Sequence, residues 1–351
     1  MNYIQLKDLP QLIARLASQS TVYVPNKQDE RYFLSIWNNK NTDANSFFFN
    51  PFRTDLPLLK SLLFPPNSVA AHYSSDSGML KPPQVTNEKK YTVFGIKECD
   101  LFGKKVLDRI FLEQDFIDTA YRSRIENTLL ISSDCTEAKS TCYCTMLGLH
   151  PYSLEGYDLN MSPVQDGYIF ESGSEKGEKI ISDNKDLFHE AIIAHMTDRE
   201  QKRQTLKNKI EQQNKSFETI HPRQQSIEKN IVAPMWHTAS ETCVECNACN
   251  YVCPTCYCFI LHERKTGDGF ERIKAWDSCF HAGYARMAGG LTPRLRLVER
   301  FKNHYYHKFD SYVTNYGFEA CSGCGRCIEA CMGKIDKREV LKNIEMYVQL
   351  K

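Results

Sequence analysis

The sequence predicts a mixed α/β domain over residues 1–230, followed by an all-helical domain over 231–351. Three observations carry that division. A strand–helix–strand pattern, the mark of a parallel unit with a right-handed crossover, spans 91–133. A long polar stretch over 186–225 follows, which puts the boundary near 225–232. Beyond it lie two dense cysteine runs, separated by 67 residues (254–320) with helical patterning.

The elements read in order as follows. Leu9 to Leu16 opens a helix, and Thr21-Val-Tyr-Val24 is a short strand that Pro25 ends. Asn50-Pro51 and Pro65-Pro66-Asn67 mark loops. Tyr91 to Ile96 and Leu129-Leu-Ile131 are strands of the buried type. Between them Leu101, Val106, Leu107, Ile110 and Phe111 recur at helical spacing. Tyr157 to Glu171 and Ile180-Ile181 read as further strands, with Gly173-Ser-Glu-Lys-Gly177 as a hairpin or turn. Leu187, Ile192, Ile193 and Met196 open a long helix whose continuation, Arg199 to Gln213, is almost wholly charged or amide and reads as a solvated face or linker. Past the boundary, Ile273 to Met287 and Leu295 to Phe309 read as helices. The last segment is amphipathic through Val340, Leu341, Ile344, Tyr347 and Val348.

Composition narrows the function. The 351 residues are 42% hydrophobic and carry 44 Lys+Arg against 43 Asp+Glu. That balance argues against a nucleic-acid or anionic-membrane binder. No apolar run reaches the roughly 18 residues of a membrane span. Met1 to Arg15 lacks the order of a secretory signal, so the expected location is cytoplasmic. A chain of this size needs no disulfide staples, so its 15 clustered cysteines point to metal ligation or redox chemistry.

Cys243-x2-Cys246-x2-Cys249-x3-Cys253-Pro254 matches the bacterial ferredoxin run, and Cys321-x2-Cys324-x2-Cys327-x3-Cys331 repeats it with Met332 in place of proline. Three cysteines at this spacing wrap three corners of a cubane, and the fourth points to the other cluster. Cys243, Cys246, Cys249 and Cys331 are therefore expected to hold one 4Fe–4S cluster, and Cys321, Cys324, Cys327 and Cys253 a second. Structural zinc instead combines two separated knuckles around one ion. Gly323 and Gly325 suit a loop whose N–H groups face cluster sulfurs. The long helical-looking gap favours an all-helical dicluster ferredoxin arrangement.

Seven cysteines remain. Cys99 and Cys135 follow the two strands, at the carboxyl edge where open α/β sheets place ligands. With Cys142 and Cys144 they form a quartet for a third cluster; a zinc ion and buried thiols are the alternatives. Cys256, Cys258 and Cys279 are left over. They suit either a further cluster completed by Asp277 or His281, or buried packing thiols. His304 and His307 have metal spacing but read as surface or interhelical residues. Arg286, Arg294, Arg296 and Arg300 neutralise cluster charge, face a partner, or are solvated. No dinucleotide glycine fingerprint or flavin signature is present, so a partner is needed to convert hydride into single electrons.

Glu98-Cys-Asp100, Ser133-Asp-Cys135 to Cys142-Tyr-Cys144, Cys253-Pro-Thr-Cys-Tyr-Cys258, Trp276-Asp-Ser-Cys279, Met287-Ala-Gly-Gly290 and Cys321-Ser-Gly-Cys-Gly-Arg-Cys327 occur in that order. Over residues 50–335, weakest at the start, this set resembles the β subunit of cytoplasmic NAD(P)-linked sulfhydrogenases. It is also similar to the iron–sulfur subunit of anaerobic sulfite reductase. The resemblance implies an electron-transfer subunit working between two partners. One is a flavoprotein NAD(P)H oxidoreductase subunit; the other is catalytic, either a nickel–iron hydrogenase or a sulfite reductase. It implies that Cys99, Cys135, Cys142 and Cys144 bind a cluster, and it makes Cys256, Cys258 and Cys279 a family feature of unstated role. The expectation of a different class is a self-sufficient oxidoreductase with a substrate site near those three cysteines.

Overall fold

The strands are, in chain order, β1 (Asn2–Gln5), β2 (Thr21–Gln28), β3 (Arg31–Ile36), β4 (Asn67–Ser74), β5 (Leu80–Lys81), β6 (Tyr91–Ile96), β7 (Thr128–Ser133), β8 (Leu159–Val164), β9 (Gly167–Ser172), β10 (His189–Glu190), β11 (Phe259–Lys265) and β12 (Gly269–Trp276). The computed structural model describes residues 1–38, 50–75, 78–81, 89–113 and 115–349. It divides into two compact units. The first comprises Met1–Phe64, Val85–Gln213 and Ser322–Cys324; the second comprises Pro65–Gln84, Asn214–Cys321 and Gly325–Lys351. The segments 65–84 and 214–230, which the sequence reading assigns to the first domain, thus sit in the second unit.

The first unit is built on an eight-stranded sheet in the order β10-β1-β9-β8-β7-β6-β2-β3. Its centre is parallel: β2 pairs β6, β6 pairs β7 and β7 pairs β8 in parallel register. Antiparallel strands complete both flanks. The central strands β6 and β7 are almost wholly buried, as parallel strands must be. Ile4, Leu12, Val22, Phe94, Ile131 and Phe170 share the main core. Between β6 and β7 the helix Glu98–Phe111 covers the predicted Leu101 to Phe111, and a second helix that the sequence reading lacks, Thr119–Glu126, follows it.

Three local readings change. Pro25 does not end β2, because pairing with β6 stops at Tyr23 and the strand continues against β3; beyond that point the missing N–H of proline costs the β6 ladder nothing. Ile180 and Ile181 are helical, inside Glu175–Asp183, where the Ser174 hydroxyl accepts from the Gly177 N–H and Glu175 and Glu178 favour the first turn. The stretch 199–213 is helical and solvated on most of its surface, but one face is buried. It lies in the helix Ile193–Asn214, whose Arg199, Arg203, Leu206 and Ile210 are buried. Ile192 and Ile193, expected to pack, are exposed, whereas Leu187 is buried.

The second unit is not all-helical. It contains a four-stranded antiparallel sheet in the order β11-β12-β4-β5. β11 and β12 form a hairpin in register Phe259↔Trp276 to Lys265↔Phe270, so Ile273, read as the start of a helix, is a strand residue. The missed signal is Thr266-Gly-Asp-Gly269, a turn chemistry that outweighs the helical spacing of the flanking apolar residues. The unit also contains helices that pack on one another, Arg223–Lys229, Met235–Ser240, Leu297–Tyr306 and Lys337–Gln349. Their core gathers Trp236, Phe301, Tyr305, Phe309, Tyr312 and Ile344, with the Trp236 and Tyr305 rings 5.7 Å apart. In the last helix Val340, Leu341 and Ile344 are buried as the amphipathic pattern predicts, while the Val348 side chain lies outside the described residues. Five residues in a π-turn, His307–Ser311, interrupt the long helix and bring Lys308 inward.

Candidate metal centres

In the first unit, the parallel pairing of β6 with β7 brings Cys99 and Cys135 to one edge of the sheet. A bulge between Phe94 and Ile96 re-aims the end of β6. Gly95 makes it possible, with φ of +75° and the Pro25 ring packed where a Cβ would stand. Cys99 is the second residue of its helix, where N–H groups favour an anionic sulfur. Cys142 and Cys144 enter from the turn that starts a short 3-10 helix, Cys144–Leu147. All four sequence-predicted cysteines line one cavity, shared with Arg53, Lys97, His150 and Cys324. Four sulfurs are a soft donor set that fits an iron–sulfur cluster and not a hard cation.

The surroundings of that quartet are charged and tightly bonded. Burial pushes the Cys135 thiol up to about 12 and the Cys144 thiol well above the ordinary range. A bound positive centre would hold them as thiolates. Burial lowers the Lys97 ammonium, while Cys135, Asp134 and Cys99 pull it back up. Lys97 Nζ donates to Ser133 Oγ at 2.7 Å and to the Asp134 carbonyl at 2.9 Å. The Tyr143 N–H donates to the Gly323 carbonyl at 2.8 Å. Gly323 has φ of +63°, and a Cβ there would meet Cys144 Cα and N at 2.6 Å.

Several supporting residues escaped the sequence reading. Arg203 donates to Asp134 at 2.7 Å and lies over the Tyr152 ring at 4.4 Å. It thereby pins the residue beside Cys135. Gln213 Nε2 donates to the Cys142 carbonyl at 2.7 Å and to the Lys139 carbonyl at 3.1 Å. Arg53 Nε donates to the Cys324 carbonyl. The available signal was the burial-compatible i, i+4, i+7 set Arg199, Arg203, Leu206 within a stretch that composition alone marks as solvent-facing.

The two ferredoxin-type runs fold alike, residue for residue. Glu245 and Asn247 are left-handed, with φ of 53° and 62°; Gly323 and Gly325 take the same places with 63° and 72°. Short helices follow at Ala248–Tyr251 and Arg326–Glu329. The Cys253 N–H donates to Asn250 O at 3.3 Å, and the Cys331 N–H to Ile328 O at 3.3 Å. Met332 therefore leaves the turn before it like that before Pro254. In the second unit Cys331 is close enough to Cys243 and Cys249 for its charge to raise both thiols, after burial. Lys308 Nζ reaches Thr255 Oγ1 at 2.8 Å, the Ala320 carbonyl at 3.0 Å and Cys253 Sγ at 3.6 Å. Burial pulls Lys308 down, but Cys253, Cys256 and Cys321 outweigh it and hold its pKa well above the ordinary value. Cys253 is held well below its ordinary range because the Cys256 thiol donates to it, against burial and with help from Lys308 and Lys337.

Of the remaining cysteines, Cys256 and Cys279 approach the Asn250 side chain, Cys256 Sγ 3.6 Å from its Oδ1 and Cys279 Sγ 3.3 Å from its Nδ2. Asp277 and His281 pair with each other at 2.5 Å. His304 reaches Lys337 Nζ at 2.8 Å, whereas His307 reaches the Tyr257 hydroxyl at 3.0 Å, so the two do not share an ion. Arg300 is buried and bonds Glu245 at 2.7 Å, clamping the first cysteine loop; Arg286 and Arg296 are exposed and Arg294 half-buried. Among the described residues, no three His, Cys, Asp or Glu side chains are arranged to hold a single metal ion. No helix among them is long and apolar enough to cross a membrane.

Residues 242–335 match the family model of the 4Fe–4S dicluster domain. The whole chain is similar to sulfhydrogenase 2 subunit beta of Pyrococcus furiosus, with 27% identity over 351 residues and 98% of each chain covered. No solved structure matches it. The chain thus carries a 4Fe–4S dicluster domain and is similar over nearly its whole length to a sulfhydrogenase β subunit, which supports an iron–sulfur electron-transfer role.

Proposed function

We propose that the chain is a cytoplasmic electron-relay subunit with three 4Fe–4S clusters. It works between a flavin-containing NAD(P)H oxidoreductase subunit and its catalytic partner, a nickel–iron hydrogenase. An α/β domain carries one cluster on Cys99, Cys135, Cys142 and Cys144. A dicluster domain carries two, on Cys243, Cys246, Cys249 with Cys331, and on Cys321, Cys324, Cys327 with Cys253. The observation that carries the reading is the convergence of Cys99 with Cys135, Cys142 and Cys144 on one cavity, in a chain that also holds the two ferredoxin-type runs. The Pyrococcus furiosus relative is named as one subunit of a sulfhydrogenase, which supports a multisubunit setting. When bound, each cluster supplies one-electron transfer.

The chain's own residues hold and insulate. The thiolates ligate, Lys308 donates to the Cys253 sulfur, and Lys97, its pKa lowered by burial, stands beside Cys99 and Cys135. A buried cation beside a ligand favours added negative charge and so raises the reduction potential. Anaerobic purification followed by iron and labile-sulfide assay is the test. About 12 Fe per chain is expected, with Cys135→Ala falling to about 8 and keeping both dicluster EPR signals. A value of about 8 in the unaltered chain removes the quartet cluster. The purified chain alone is expected to take electrons from a low-potential dye without oxidising NAD(P)H; NAD(P)H oxidation by it alone would replace the relay with a self-sufficient enzyme.

A further inference from the structure

The segment between the β11–β12 hairpin and the helix Leu297–Tyr306 has no part in that reading. Residues 278–298 contain no Asp, Glu or Lys, yet they include Arg286, Arg294 and Arg296. The acids that flank the segment are engaged. Asp277 pairs with His281, and Glu299 Oε2 accepts the Arg296 N–H at 2.9 Å. Among the described residues no carboxylate pairs with Arg286, Arg294 or Arg296. The apolar side chains of the same segment stand in solvent: Tyr284 is 38% exposed, Met287 57%, Leu291 68% and Leu295 68%. A merely solvated loop mixes lysine and acids among its polar residues. Arginine, methionine and tyrosine without lysine, glutamate or aspartate is the composition of a protein–protein interface.

The loop holds its shape through its own bonds. The Tyr284 N–H donates to the His281 carbonyl at 3.1 Å and the Arg286 N–H to the Gly283 carbonyl at 3.1 Å. The Met287 N–H donates to the Leu291 carbonyl at 2.8 Å, closing a turn in which Gly289 and Gly290 have φ of +79° and +81°. Buried Arg300 fastens both ends, with Nε donating to the Phe280 carbonyl at 2.7 Å and Nη1 to the Arg294 carbonyl at 3.0 Å. Long loops of this kind are usually functional. One that is already shaped loses little freedom on docking.

The same guanidinium reaches the first cysteine run, where Arg300 Nη2 donates to Glu245 Oε2 at 2.7 Å. The next residue, Cys246, is the only exposed cysteine of the chain, and Val244 is 63% exposed. The arginine loop therefore stands beside the one cysteine that solvent reaches freely. Electron transfer between proteins falls off steeply with distance, so a partner has to come close to such a point.

We infer that residues 281–296, together with Val244 and Cys246, form the docking surface for a redox partner subunit. The facing surface of that partner is acidic, and its one-electron group lies close behind it. The arginines steer and register the partner through its carboxylates, and the apolar side chains supply buried area. The inference rests on the electron-relay reading for the redox character of the partner.

The test uses the native complex, purified anaerobically through a tag on the full chain, beside the chain purified alone. Both are treated with phenylglyoxal, which modifies accessible arginines, and then peptide-mapped. Arg286 and Arg296 should react readily in the isolated chain and be protected in the complex. R286E/R296E should cut the yield of co-purified redox subunits by about tenfold or more, because like charge then faces like. Its iron per chain and its reduction by a low-potential dye should equal those of the unaltered chain. Redox subunits that co-purify while both arginines stay as reactive as in the isolated chain overturn the inference and leave the relay reading standing. Undiminished co-purification with R286E/R296E does the same. A chain that brings down no redox subunit at all overturns the relay reading, and the inference falls with it. Vesicles containing phosphatidylserine are the last probe: if they bind the isolated chain but not R286E/R296E, the surface belongs to anionic lipid and the inference is overturned.

Discussion

The cysteine cavity of the first unit and the first ferredoxin-type run of the second reach similar chemistry by opposite routes. In the run, Cys243, Cys246 and Cys249 are neighbours in sequence, and two left-handed residues, Glu245 and Asn247, bend the loop. In the cavity, Cys99 and Cys135 lie beyond different strands, and they meet only because β6 and β7 pair in parallel. The first depends on local backbone conformation; the second depends on a formed sheet and on residues that hold its edge. Mutations should therefore act differently on the two.

The largest expected effect is on the cavity. Arg203→Leu leaves the buried Asp134 carboxylate with Asn160 Nδ2 at 3.0 Å and without its Arg203 cation. Removing one partner of such a pair typically costs about 3–5 kcal/mol. Thermal melting should show a clear fall, and iron assay with EPR should show loss from the quartet while both dicluster signals stay. Lys202→Leu breaks an exposed pair with Asp198 and should cost at most about 0.5 kcal/mol. Equal destabilisation by the two variants would remove Arg203 from any special role at the cavity.

Gly323→Ala is expected to rank next. Its φ of +63° and the Cys144 backbone at 2.6 Å from a new Cβ together imply about 2–3 kcal/mol of strain. A melting temperature within error of the unaltered chain would mean that the loop tolerates a side chain there.

The smallest effect belongs to the matching position of the other run. Glu245→Gly loses the bond to Arg300 but relieves a left-handed non-glycine residue. With Glu245 partly exposed, the two changes should cancel to within about 1 kcal/mol. A loss as large as that of Gly323→Ala would show that the Arg300 clamp, and not backbone freedom, shapes the first loop.

Legibility followed the same divide. The two runs were readable because their cysteines and turn residues are close in sequence, and both fold with one backbone pattern. The parallel pair β6–β7 was readable because buried strands are continuous apolar runs. The β11–β12 hairpin was not, because the apolar spacing from Ile273 onward reads as a helix while the turn at Thr266-Gly-Asp-Gly269 carries the real signal. The face formed by Arg199 and Arg203 was not, because charge looks solvent-facing until Asp134 and Glu171 are placed beside it.

By itself the sequence determined the dicluster motif, the parallel strand pair and the set of cysteines worth watching, since spacing and apolar periodicity are properties of neighbouring residues. Only the tertiary structure decided which distant groups meet. It brought four cysteines to one cavity, turned Arg203 toward Asp134, and set Cys256 and Cys279 beside Asn250. Those outcomes depend on strand register and on the partners available to a buried charge or thiol. Neither exists until the sheet has formed and burial has made an unpaired polar group costly.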